Sequence, residues 1–212
     1  MPDKLTQDKE QRSNKIKVEV RAVGEGEGQK RKIVGYAVKW DQLSDPIWGY
    51  FQERFRKGAF ANYLSRSDAD VVASWQHNLA EILGRIPGTL TVGEDDIGLR
   101  YEIDPPSWAD KHIETIERGD VTGSSFIFRA LKSEWDETNP EMEIRTVIEA
   151  ELIEVSPVTF PAYPQSEAGV RSAKDVYQDY KKLKEQDHKR EWQTDISLEN
   201  ANFLKWKNQL SN

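Results

Sequence analysis

The sequence predicts an α+β domain, mostly antiparallel β-structure closed as a barrel or stacked as a sandwich, flanked by one or two helices. Three observations lead there. Apolar and polar residues alternate over short runs bounded by Gly, Pro, Asn and Asp. Only two short stretches before residue 170 read as helix. From about residue 171 the composition turns highly charged, with scattered apolar anchors.

Taken in order, residues 1–15 (MPDKLTQDKEQRSNK) hold too little apolar surface to offset the entropy of ordering and are expected as a disordered arm. KIKVEVRAV (15–23) puts Ile16, Val18, Val20 and Ala22 on one face, GEGEGQ supplies turn glycines, and KIVGYAVKW (32–40) completes a β-hairpin. RKGAFANYLSR (56–66) reads as a short helix and DVVASWQHN (70–78) as a strand. GTLTVGEDDIGLRYEID (88–104) reads as two strands around an acidic turn, with Gly98 available for a bulge. A helix over about 108–118 follows, with Ser107 as N-cap, Asp110 three residues on and Gly119 at the left-handed C-terminal position. SSFIFRALKSEW (124–135) and EIRTVIEAELIEVSPVTF (143–160) are the last strands, joined by the polar turn DETNPE. The expected organisation is an arm at 1–15, a domain at 16–170 and a helical or disordered charged tail at 171–212.

Composition removes several function classes. The 212 residues are 37% hydrophobic and 32% charged, and no apolar run approaches a membrane span. The polar N-terminus is not a secretory signal. A net charge of −7 argues against broad nucleic-acid affinity, which depends on neutralising phosphates. The absence of cysteine excludes thiol catalysis, disulfides and thiolate metal sites. There is no phosphate-binding Gly-rich loop with a Lys, no His-Glu-x-x-His and no Gly-x-Ser-x-Gly. A three-histidine metal site would need His77, His112 and His188 together, the last from the charged tail, so neither metal nor cofactor is expected.

The chemistry left is a hydroxyl nucleophile with a base and an orienting carboxylate. Strand alternation sorts the candidates. Ser124 shares parity with Phe126 and Phe128, a core face, whereas Ser125 shares it with Ile127 and Arg129, a mixed face on which a nucleophile meets substrate. Both serines also fit as strand-start residues that bond local backbone. His77 shares parity with Val71, Ala73 and Trp75 and falls at the rim of an apolar face, where a carbonyl partner is the plain alternative. His112 reads as a partly exposed helix residue and His188 as solvated. Glu154 ends an apolar row of Ile148, Ala150 and Leu152, and a carboxylate there is costly to bury unless paired. A histidine N–H would serve as the partner; a strand end or bulge that lets Glu154 reach water is the alternative.

FRKGAFANYL, SWQHN followed by ILGRIPGTL, EDDIGLRYEID, GSSFIF and LIEVSPVTFPAYPQSEA occur in this order. Together, from about residue 33 to 170, they resemble the prohead (capsid maturation) serine proteases of tailed bacteriophages. The resemblance implies a fold similar to the herpesvirus maturational proteases, a β-barrel wrapped by helices whose members act as dimers. It implies a Ser-His-acid site made of Ser125, His77 and Glu154. It implies as substrates the scaffolding segment of the major capsid protein and the protease itself, inside the assembling procapsid in the host cytoplasm. It calls for no nucleic acid or membrane as partner. One departure is Ile127, where the family often has glycine, a change expected to narrow the cleft or to alter substrate approach. It supports a rival reading, a non-catalytic internal scaffold on the same fold; an esterase using the same three residues is a third.

Overall fold

The structure, a computed structural model, describes residues 9–24, 30–139, 141–161, 172–187 and 189–190. Its strands, in chain order, are β1 (Glu10–Asn14), β2 (Glu19–Val23), β3 (Lys30–Lys39), β4 (Phe51–Phe55), β5 (Val72–Trp75), β6 (Asn78–Arg85), β7 (Leu90–Glu94), β8 (Gly98–Ile103), β9 (Gly123–Asp136) and β10 (Glu143–Val158). Two helices interrupt them: α1 (Ala61–Leu64) and α2 (Asp110–Glu117), the second entered through a 3₁₀ turn at Ser107–Ala109. Residues 1–172 make one compact unit and 173–212 another, in which 173–187 are helical. No helix among the described residues is long and apolar enough to cross a membrane.

One sheet has six strands in the order β1-β9-β10-β5-β6, with β4 also paired to β10. The other has four, β2-β3-β8-β7, all antiparallel. Neither sheet closes into a barrel. The long strand β10 explains the open, mixed arrangement of the first. It lies antiparallel to β9, while β4 and β5 both run parallel to it, β4 along Glu143–Val147 and β5 at Glu154–Val155. Parallel neighbours were not expected, because a hydrophobic pattern reports burial and not strand direction.

The core draws on both sheets: Ile33, Leu99, Tyr101 and Ile103 from the four-stranded one, Phe126, Phe128, Leu152 and Val155 from the six-stranded one. Phe55 binds the aromatic part of it, with ring centroids 5.8 Å from Phe60, 5.5 Å from Phe126 and 5.1 Å from Phe128. Burying each such side chain contributes about 1.5–3 kcal/mol.

Several local expectations change. The stretch expected as an arm over 1–15 supplies β1, ordered by charge pairing rather than by apolar surface: Glu10 is 1% exposed and bonds Arg145. Residues 1–8 lie outside the described set. Strand β4 escaped notice because Glu53 interrupts its inward row of Phe51 and Phe55, yet it is buried, its charge met by Arg12 and Arg145. Ser107 makes no capping bond, since the 3₁₀ turn starts the helix instead. Gly119 does take the left-handed conformation, at φ 82°. Gly98 serves a close approach, for a Cβ there would lie 2.0 Å from the Val38 carbonyl oxygen; the register shift lies opposite, between Tyr36 and Val38.

Candidate active site

Ser124 and Ser125 open β9, and their side chains part company as alternation requires. Ser124 Oγ points into the core and donates to the buried Tyr101 hydroxyl at 3.1 Å, in a setting where burial pushes the tyrosine pKa up. Ser125 faces the other way, and its Oγ lies 2.6 Å from His77 Nε2.

His77 is not on a strand. It is the second of two loop residues joining β5 to β6, with Trp75 paired to Asn78 across it. Gln76 and His77 have φ of 55° and 62°, the pair of positive values that marks a type I′ hairpin loop. Such loops favour Asn-Gly, and each non-glycine left-handed residue costs about 1–2 kcal/mol. The end of β10 holds the loop in place. The His77 amide donates to Ser156 Oγ at 3.3 Å, the Gln76 amide to the Pro157 carbonyl at 3.3 Å, and the Gln76 side-chain amide to Thr159 Oγ1 at 2.7 Å. Local strain thus sets the imidazole, and two contacts to β10 and one to Thr159 just past its end maintain it.

Glu154 reaches the same place through a shift in β10. At Ala150 and at Leu152, which pairs with Phe128, the even-numbered residues face the core, two earlier register shifts having taken that place from the odd-numbered Val147. The register then slips between Leu152 and Glu154, so that Val155 pairs with core-facing Phe126, while Glu154 and Ser156 pair with Ile127 and Ser125. Glu154 therefore does not end the apolar row of Ala150 and Leu152; the slip moves it to the opposite face. Its Oε2 lies 3.3 Å from His77 Nδ1. Its Oε1 accepts from Ser156 Oγ at 2.9 Å and from Ser74 Oγ. Burial is the largest influence on this carboxyl and opposes its ionisation. The bond and charge of His77, followed by the two hydroxyls, outweigh it and hold the pKa below the usual glutamate value.

Ser125, His77 and Glu154 thus form one hydrogen-bonded chain, at 0%, 9% and 3% exposure. A hydroxyl, an imidazole and an ionised carboxylate in that order can lower the cost of removing a serine proton and hold the resulting imidazolium. Ser74 and Ser156 had not been singled out. Ser156 shares Glu154's parity and was within reach of that argument, but irregularities on both sides of Ser74 hide its direction. The strand β1 is the other unforeseen part. Ser13 lies opposite Ser125, its Oγ donates to Ser125 Oγ at 2.8 Å, and Ser125 Oγ lies 2.9 Å from the Arg12 carbonyl oxygen. Ile127, 7% exposed, is paired on one side with Gln11 and on the other with Glu154.

The other histidines stand apart. His112 is buried, not partly exposed, because its ring stacks on Trp75 at 4.2 Å, and burial lowers its pKa. His188 lies outside the described residues.

Compared with known proteins, residues 16–182 match the model of a family described as caudovirus prohead serine protease. No curated protein and no solved structure matches the chain.

Proposed function

Since the chain belongs to the caudovirus prohead serine protease family, with a role in capsid maturation, we propose that it is a serine endopeptidase in which Ser125 is the nucleophile, His77 the base and Glu154 the orienting acid. The observation that carries this reading is the continuous chain from Ser125 Oγ through both imidazole nitrogens to a carboxylate held ionised, at 2.6 and 3.3 Å.

In the reaction, His77 Nε2 takes the Ser125 proton as Oγ attacks the scissile carbonyl carbon. The imidazolium, stabilised by Glu154, returns the proton to the departing amine and leaves an acyl-enzyme. Water then repeats the sequence in reverse and frees the new carboxylate. Ser74 and Ser156 act as positioning residues, since both hydroxyls fix the carboxylate that orients the base. The substrates are the scaffolding segment of the major capsid protein and, as a second target, the protease itself, within the procapsid. The assembled triplet favours this reading over a non-catalytic scaffold.

Co-expression with the cognate major capsid protein, wild type beside Ser125→Ala, tests it through capsid-protein mass. Trimming by wild type alone is expected. Undiminished trimming by a folded Ser125→Ala protein, or none by either in assembled procapsids, refutes the assignment.

A further inference from the structure

We propose that the edge of β9 covered by β1 is the substrate-binding strand, that β1 occupies it as a built-in pseudosubstrate, and that the peptides accepted there are extended chains carrying a carboxylate and, two residues later, a cation. The inference rests on Ser125 being the nucleophile.

The nucleophile of a peptidase must meet a peptide carbonyl, yet Ser125 is fully buried. What meets it is the peptide carbonyl of Arg12, 2.9 Å from Oγ, on a strand of five residues. This contact is a resting one. Ser125 has a single proton and two acceptors within reach, the Arg12 carbonyl and His77 Nε2, so β1 draws the proton away from the base. Among the described strands, β1 lies at the end of the sheet and pairs with β9 alone, so its departure opens one edge and breaks no other strand pairing there. Just beyond it, residues 15–17 have no regular structure, and Val18 is anchored by its amide to the Thr122 carbonyl at 3.3 Å. The strand therefore has a tether on which to leave. An extended peptide that adds to a vacated sheet edge takes affinity from its backbone and specificity from alternate side chains.

Those alternate side chains are Glu10 and Arg12, and they define the specificity. Glu10 bridges Arg145 at 2.6 and 2.9 Å, and Arg12 Nε bonds Glu53 at 2.7 Å, with the guanidinium 5.6 Å from the Phe128 ring centre. Arg145 and Glu53 belong to β10 and β4 and are themselves paired at 2.9 Å. Loss of β1 takes away one charge of each sign and leaves this buried pair neutral, lining a recess whose two ends read a carboxylate and a cation at strand spacing. In the register of β1, the cation-bearing residue supplies the carbonyl at Ser125, and a small residue, the position of Ser13, follows it.

The test keeps the full chain. A recognition sequence for a site-specific protease is inserted after exposed Lys15, the protein is folded intact and then cut, and the released segment is removed by dilution. Two quantities are read: fluorophosphonate labelling of Ser125, and, in the Ser125→Ala background, anisotropy of a fluorescent peptide of sequence KEQRSN. Labelling is expected to rise about ten-fold or more on release, because a site available only in a minor open state reacts in proportion to that population. The peptide is expected to saturate the cut protein and not the intact one, where the tethered strand competes at high effective concentration. Replacing its Glu by Gln, or its Arg by Gln, should weaken binding about 30-fold, the scale for removing one partner of a buried charged pair. No saturable binding to cut, folded protein overturns the proposal, as does binding indifferent to both replacements, or unchanged labelling in a protein that does label. Selective binding with no labelling in either form instead refutes Ser125 as nucleophile and supports the strand site.

Discussion

Replacing Glu154 by Gln changes one atom and removes one charge, and the hydroxyls around it determine the consequence. Ser74 and Ser156 both donate to Oε1, so that position must remain an oxygen. The amide nitrogen of the new Gln is then forced onto the position of Oε2, 3.3 Å from His77 Nδ1. An NH₂ there donates to Nδ1, which makes Nδ1 an acceptor and moves the imidazole proton to Nε2, facing Ser125. A histidine with its proton on that side cannot take another from serine. Where the carboxylate of such a triplet is changed to its amide, turnover falls about 10⁴-fold through the wrong tautomer, or about 5.4 kcal/mol at 1.36 kcal/mol per decade. The assay is the second-order rate of fluorophosphonate labelling of Glu154→Gln against wild type, measured in chains freed of β1. The sharper result comes from the triple variant Ser74→Ala/Ser156→Ala/Glu154→Gln. With both donors gone, the amide is free to turn its oxygen toward Nδ1–H and restore the working tautomer. The triple variant should therefore react faster than Glu154→Gln alone, although it carries more damage. A Glu154→Gln rate close to wild type, or a triple variant no faster than the single one, refutes the argument that the hydroxyls set the tautomer.

Two further outcomes follow from the buried charges. Glu154 has its pKa depressed in the folded chain relative to the ordinary 4.5, so it contributes stability that is complete above about that pH and lost as pH falls through the lower folded value. The melting temperature of wild type should exceed that of Glu154→Gln most at neutral pH, and the gap should close below pH 4.5; a gap that widens on acidification contradicts the sign. Arg145 faces Glu10 and Glu53, so Arg145→Met removes one of the two guanidinium groups that meet these buried carboxylates among the described residues. That should cost about 3–5 kcal/mol, roughly 6–20 °C in melting temperature for a chain of this size. A fall under about 2 °C by calorimetry would show the network to be dispensable.

Much of the larger framework is legible in the sequence: the β2–β3 hairpin, the β7–β8 pair with its acidic turn, α2 with its C-terminal glycine, and the long final strands all carry local patterns. Charges that satisfy one another across the fold hid two of the remaining strands. β1 and β4 read as polar because Glu10, Arg12 and Glu53 are charged, and their burial depends on Arg145, more than ninety residues away from each of the three. The three site residues show a different limit. Parity separated Ser124 from Ser125, because β9 keeps its alternation with the core-facing Phe126 and Phe128. For His77 and Glu154, which the structure brings together with Ser125, it gave an apolar rim for the wrong reason: one sits in a strained two-residue loop, the other behind a slip in register. These departures from regular geometry decide the site. Without the slip after Leu152, Glu154 would point with Leu152 into the core, away from the face that holds Ser125, and on an unbroken strand His77 would follow Ala73 inward. The loop and the slip are fastened to each other through the Ser156 hydroxyl, which accepts the His77 amide and donates to Glu154. One serine at the end of β10 therefore couples the position of the His77 imidazole to that of the Glu154 carboxylate, so a shift in either element is transmitted to both before it reaches Ser125.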